Sequence, residues 1–171
     1  MERPVICPIC QFDNIEGSDE CENCGADLRT VDLPRPQTPL ERQLVVEHLS
    51  ELGHREPIVL GADASVAEAV TAMQAREVGS VLVVEGDQLT GIFTERDALL
   101  RMDGRALAAT PLREVMTRDP VVLREDDSIA VAIHKMAVGG FRHIPLTRGG
   151  LPTGIVSARD VFRHIVEILE A

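Results

Sequence analysis

Slid against itself by one fixed offset, this 171-residue chain superposes Glu56–Leu99 on Asp119–Phe162 without a gap. Pro57-Ile58-Val59-Leu60 falls on Pro120-Val121-Val122-Leu123, Ser65 on Ser128, Met73 on Met136, and Thr90-Gly91-Ile92 on Thr153-Gly154-Ile155. A duplicated unit is implied, and it restricts the fold more than any other feature. One copy is too short to bury both faces of a sheet, so the two copies should pack against each other as a pseudo-twofold pair.

Each copy reads as β-α-β-β-α. The run Val66, Ala69, Val70, Met73, matched by Ile129, Ala132, Ile133, Met136, predicts a helix with one apolar face. Ser65 with Glu68 forms a capping box that starts this helix in the first copy. Gly86-Asp87 predicts a tight turn between strands at Val81–Val84 and Ile92-Phe93, and Gly149-Gly150 one between Ile144-Pro145-Leu146 and Ile155-Val156. The fold class is therefore α+β. With 44% hydrophobic residues but no Trp, no Tyr and four Phe, the core must be built from aliphatic side chains.

Upstream of the repeat lie Cys7-Pro8-Ile9-Cys10 and Cys21-Glu22-Asn23-Cys24. A two-residue spacing lets one turn aim two sulfurs at one ion, and two such turns supply the thiolates of a tetrahedral site. Gly25 permits the positive φ that such a turn needs. This segment resembles a zinc ribbon, whose short forms also place residues like Asn14, Gly25 and Leu28 at these points. The resemblance implies a closed structural Zn²⁺ site on Cys7, Cys10, Cys21 and Cys24. Fe could occupy the same sulfurs. Disulfides fit a cytosolic chain poorly, and a redox pair would open a helix in a βαβ unit, which is absent here.

Glu2, Asp13, Glu16, Asp19, Glu20, Glu22 and Asp27 outnumber Arg3 and Arg29 in this segment, which assigns it to protein contact, by self-association or docking, rather than to nucleic acid. The whole chain carries a formal charge of -11, which again argues against phosphate-backbone binding. Lys135 is the only lysine, a feature that looks like codon bias. No basic-then-apolar leader and no run of about 18 apolar residues is present, so the expected location is the cytoplasm, without membrane insertion. Pro34, Pro36 and Pro39 mark a linker. Leu40, Leu44, Val45, Leu49 and Leu52 then predict one amphipathic lead-in helix over about 40–52. The expected organisation is a ribbon at 1–30, a linker at 31–39, a first repeat with its lead-in helix at 40–103 and a second repeat at 104–171.

Each copy closes on one motif, G-h-h-[ST]-x-R-D: Gly91-Ile92-Phe93-Thr94-Glu95-Arg96-Asp97 and Gly154-Ile155-Val156-Ser157-Ala158-Arg159-Asp160. Two such units in this element order resemble a tandem CBS domain pair, the Bateman module, over about residues 40–171. The resemblance implies that Asp97 and Asp160 accept hydrogen bonds from ribose hydroxyls while Thr94 and Ser157 meet ribose or phosphate. Arg96 and Arg159 add charge, and free amides at the helix starts add to it. Arg142-His143, leading into Ile144-Pro145, resembles the family's basic approach to a strand and implies phosphate contacts. Adenine is expected near Ile58, Val59, Val121 and Val122.

The competing reading is that Thr94-x-x-Asp97 and Ser157-x-x-Asp160 merely cap helices. His48, His54, His134 and His164 have no companions that suggest a site. No dinucleotide loop, no Walker loop and no acid–base pair is present, so the chain is expected not to be an enzyme. The expected function is a regulatory sensor of AMP, ADP, ATP or S-adenosylmethionine. It would act by population shift and pair as a homodimer through helices such as the one carrying Val161, Phe162, Ile165, Val166 and Leu169. An unidentified protein would carry the output. The rivals are an interaction scaffold with vestigial pockets and an Fe(Cys)₄ electron carrier.

Overall fold

The computed structural model describes residues 4–15, 17–31, 33, 35–53 and 56–171; His54, Glu16 and Pro34 lie outside them. In the four-cysteine segment, β1 (Val5–Ile6) pairs antiparallel with β2 (Asp13–Asn14). Its two cysteine turns are built alike: Gln11 N donates to Cys7 O and Gly25 N to Cys21 O. Both donors have positive φ, 63° and 69°, which costs Gly25 nothing and Gln11 some strain.

Thr38 caps α1 (Pro39–Val46) reciprocally with Glu41, and Pro39 takes the first-turn position where its missing amide is harmless. The single helix expected over 40–52 is in fact two elements. After Val46 the backbone is extended through Glu47 and His48, and a 3₁₀ turn spans Leu49–Leu52. The helix breaks because its backbone groups find partners elsewhere: Glu47 O accepts from Ile129 N at 3.0 Å, and Leu49 N donates to Asp127 O at 2.9 Å. The break drives Leu49 into the core of the second repeat, where it is fully buried.

The first unit follows as β3 (Val59–Gly61), α2 (Val66–Arg76), β4 (Ser80–Glu85), β5 (Gln88–Thr94) and α3 (Glu95–Arg101). A 3₁₀ turn at Leu112–Glu114 and β6 (Thr117–Arg118) lead into the second unit, made of α4 (Ile129–Gly139), β7 (His143–Arg148), β8 (Leu151–Ser157) and α5 (Ala158–Glu170). The larger sheet runs β3-β4-β5-β6, with β3 parallel to β4 and the other pairs antiparallel; β7 and β8 form a separate hairpin. Both hairpin turns fall where the glycines predicted them.

Two departures from the sequence reading concern connections. The strand expected at 120–123 shrinks to one parallel bridge, Leu123 with Leu146. Just upstream, Arg118 is paired with Gly91 of the first unit and Asp119 turns with positive φ, so the chain reaches the second unit too late to pair further. The duplication also begins before Glu56, since Leu49 and Leu112 occupy matching positions, both at 0% exposure. Each sits in a core across from its own repeat: Leu112, which leads into the second unit, is buried in the first, and Leu49, which leads into the first, is buried in the second. Helix α1 likewise packs on α4. Each unit is thus completed by the segment that precedes the other, which binds the pair together more firmly than face-to-face contact alone.

Gly91 is set by close packing. A Cβ there would overlap the Met116 sulfur and stand 3.0 Å from Thr117 O. Gly91→Ala should therefore cost about 1–3 kcal/mol, read as a lower midpoint in urea; an unchanged midpoint would mean that β6 yields freely. Helix α5 divides differently from expectation. Val161 is buried and Ile165 packs on the second core, leaving Phe162 and Leu169 exposed, because the helix spends one side on its own unit. No helix among the described residues is long and apolar enough to cross a membrane.

Candidate functional site

A cavity of about 480 Å³ opens between the two units. Its lining gathers the end of the first motif, Thr94, Arg96 and Asp97, together with Val121, Arg142 and His143 of the second unit. These residues are far apart in sequence. They meet because β5 ends at Thr94, α4 ends at Gly139 and both ends point to the junction. Ser157, Arg159, Asp160, Ile58, Val59 and Val122 are not in this lining. The cavity is therefore one-sided, although the motif occurs twice.

Asp97 is 7% exposed. Its Oδ2 accepts from Thr94 N at 2.9 Å and from Thr94 Oγ1 at 2.7 Å, completing a capping box on α3. Its Oδ1 has longer contacts, 3.3 Å to Thr117 Oγ1 and 3.4 Å to Arg101 Nε. The two oxygens thus differ: one is committed to the helix start, and the other is held loosely toward the cavity. Asp160 repeats the cap through Ser157, with Oγ donating to Oδ2 at 2.5 Å.

The free amides expected at the two helix starts are mostly engaged. Glu95 N donates to Gly79 O, Ala158 N to Arg142 O, and Asp97 N and Asp160 N to their own caps. An anion here has to be met by side chains. Arg96 Nη1 donates to Gly140 O at 3.3 Å. His143 stands between the motifs: burial first, then Arg142, lowers its pKa below the ordinary imidazole range. It is therefore a neutral donor or acceptor at neutral pH.

Sequence reasoning missed several lining residues: Glu95, Arg101, Thr117, Phe141 and the pair Gly139-Gly140. Arg101 could have been found, since it lies one helical turn after Asp97. The glycine pair had a signal too, for the first copy has Arg76-Glu77 at the matching positions.

The four cysteine sulfurs lie within 4.8 Å of one another. None is in a disulfide. Cys7 and Cys24 sulfurs are 3.6 Å apart and those of Cys10 and Cys21 3.5 Å, close to the ~3.8 Å edge of a tetrahedron with Zn–S bonds of about 2.3 Å. Buried Asn14 donates to Val5 O and Phe12 O and lies 3.7 Å from the Cys21 sulfur. Burial opposes the Cys21 thiolate, but the Cys24 and Asn23 amides, with Cys10 and Asn14, bring that thiol down to about 6. At Cys24 the Ala26 amide favours the thiolate, yet Cys10, burial, Cys7 and Cys21 push it up to about 12. Four crowded thiols cannot all ionise alone, and a divalent cation is what would let them do so. The donor set fits zinc.

The ribbon is docked on the second unit. Arg29 reaches Asp127 at 2.6 Å while it also forks onto Asp27, and Lys135 Nζ meets Gly17 O and Asp19 Oδ1, each at 2.5 Å. The lone lysine, read from sequence as a compositional accident, is 6% exposed in this contact.

A family model described as CBS domain matches residues 49–104 and 112–167, stretches that begin at Leu49 and Leu112 and exclude the cysteine segment. A 17.7 kDa protein from Acidianus ambivalens is 30% identical over 122 residues, 70% of this chain and 74% of the relative. A solved CBS domain protein from Pyrobaculum aerophilum, complexed with AMP, superposes with a TM-score of 0.64 at 26% identity, over 73% of this chain and 100% of that one. A CBS domain pair solved with 5′-methylthioadenosine and S-adenosyl-L-methionine shares the fold, with a TM-score of 0.66 at 20% identity over 72% and 98% of the two chains.

Proposed function

Since this chain belongs to the CBS domain family, which it carries as a tandem pair, we propose that it is a regulatory adenine-nucleotide sensor whose working site is the cavity at Asp97. The observation that carries this reading is the convergence of Asp97, Val121, Arg142 and His143 on one cavity. Asp97 Oδ1, loosely held, is the oxygen available to sugar hydroxyls, and Thr94 stays with the cap. Val121, 40% exposed, offers an apolar edge for adenine. Arg96, Arg101 and Arg142 offer charge to a first phosphate, and Glu95, Asp97 and Asp119 in the same lining balance them, which leaves little attraction for a second and third. The AMP bound by the Pyrobaculum aerophilum relative supports this ligand class.

The rival scaffold reading has an observation in its favour: both motif carboxylates complete capping boxes. Calorimetric titration with AMP, ATP and S-adenosylmethionine separates the two. A sensor gives heat with AMP at lower concentration than with ATP, and silence with all three leaves the scaffold.

Cys7, Cys10, Cys21 and Cys24 hold Zn²⁺ as a closed structural site, and when bound it supplies cross-linking rather than chemistry. Elemental analysis should find one zinc per chain, and a coloured iron protein would overturn this. Exposed Leu99, Leu100, Phe162 and Leu169 are the residues of the homodimer face, so light scattering should give twice the 18.6 kDa chain mass. The protein works in the cytoplasm, where thiols stay reduced, and passes its output to another protein.

A further inference from the structure

We propose that ribbon docking and nucleotide binding are coupled through α4, so that each tightens the other; this rests on the nucleotide reading above and names how that site is regulated. The ribbon grips α4 near both ends. Asp127, paired with Arg29, directly precedes the helix N-cap Ser128, and its Oδ2 also accepts from Arg124 N at 2.7 Å. Lys135, paired with Asp19, lies one turn before Gly139, where the helix ends and the cavity lining begins. Four residue steps along the helix, from Lys135 to Gly139, separate the ion pair from the cavity by about 6 Å along the axis.

Gly139 and Gly140 are consecutive, Gly140 adopts the left-handed conformation at φ 65°, and the Phe141 ring packs where a Gly139 side chain would stand. The Gly140 carbonyl receives Arg96 from the first unit. Phe141, Arg142 and His143 continue the lining. Two glycines leave this stretch wide conformational freedom, so its position follows the end of α4. A docked ribbon fixes that end, and a bound nucleotide fixes the same stretch from the other side. Whichever binds first removes freedom that the other would otherwise have to remove.

The first copy has none of these parts. The residues matching Asp127 and Lys135 are Ala64 and Ala72, and those matching Gly139-Gly140 are Arg76-Glu77. Ribbon anchors and glycine pair occur together, in the one unit whose α4 meets the cavity.

Linkage requires reciprocity: if the ribbon tightens AMP by some factor, AMP tightens the ribbon's metal by the same factor. The test uses the full zinc-loaded chain. AMP affinity is read by calorimetry, and zinc affinity by competition with a chromophoric chelator, with and without saturating AMP. Lys135→Met keeps the apolar stem and removes the ion pair. Asp19→Asn removes it from the ribbon side and leaves α4 untouched, which guards against damage to the second core. We expect AMP to bind about fivefold or more weakly in both variants. In the wild type AMP should raise zinc affinity by that same factor, and in both variants it should not. Unchanged AMP affinity in both variants, or a wild-type zinc affinity indifferent to AMP, overturns the coupling alone. Absence of any AMP binding to the wild type removes the nucleotide reading and the coupling with it.

Discussion

Stripped of metal by excess chelator, the first thirty or so residues should lose their fold while both repeats keep theirs. The ribbon's own core is Val5, Cys7, Cys21 and Leu28, with Cys10 and Ala26 packed beside it, and its strands are two residues each. So little apolar burial cannot offset the entropy of ordering the segment. Structural zinc contributes on the order of 10–16 kcal/mol in comparable sites at neutral pH, and without a site in the unfolded chain that binding energy is folding energy. The repeats have two apolar cores, one built around Phe93 and Leu112 and the other around Leu123 and Ile144, and neither includes a ribbon residue among its buried members; the Phe93 ring is the exception to the aliphatic core expected from composition. Hydrogen exchange should therefore show the amides of residues 4–31 exchanging freely in the chelated protein and those of β4, β5, β7 and β8 still protected. Protection of the ribbon without metal would show that its contacts with α4 suffice.

Asp97→Ala should weaken AMP binding at least about a hundredfold, since two hydrogen bonds to a charged group are lost at about 1.5–3 kcal/mol each. The same change removes the Asp97 half of the capping box on α3, leaves the Thr94 cap in place, and should cost about 1 kcal/mol of stability. Asp160→Ala removes the equivalent half of the capping box on α5 and so should cost a similar amount of stability. Its carboxylate does not line the cavity, so AMP affinity should stay within about threefold of wild type. Calorimetry and urea unfolding on the two variants thus separate binding from capping. Equal AMP affinity in wild type and Asp97→Ala would mean that the carboxylate only finishes a helix.

Much of the fold was legible because its signals are local. A capping box at Ser65, glycine turns at Gly86 and Gly149 and apolar spacing along α2 and α4 act within a few residues, and the elements formed where those signals lie. The lead-in helix misled for a related reason. Leu49 and Leu52 continue the helical spacing of Leu40 and Leu44, yet bonds from Glu47 and Leu49 to the second unit outweighed that pattern. The cysteine spacing was legible as well, because sulfurs two residues apart converge in any such turn.

The site was only half legible. The motif occurs twice with nearly the same residues, and nothing local says that Asp97 lines the cavity between the units while Asp160 does not. In that cavity the first motif meets Arg142 and His143 of the second unit, residues that match Gly79 and Ser80 of the first.

Repetition, the helices and hairpins of each copy and the cysteine spacing were determined by the sequence alone, since caps, turns and periodicity are properties of short segments. Only the tertiary structure decided that Leu49 and Leu112 cross to opposite cores, that Asp97 rather than Asp160 joins the cavity between the units, and that the single lysine anchors the ribbon. Those outcomes depend on contacts between residues as far apart as Asp19 and Lys135. Such contacts are selected by the packing of the whole molecule, and they leave no periodic trace in either partner's own neighbourhood.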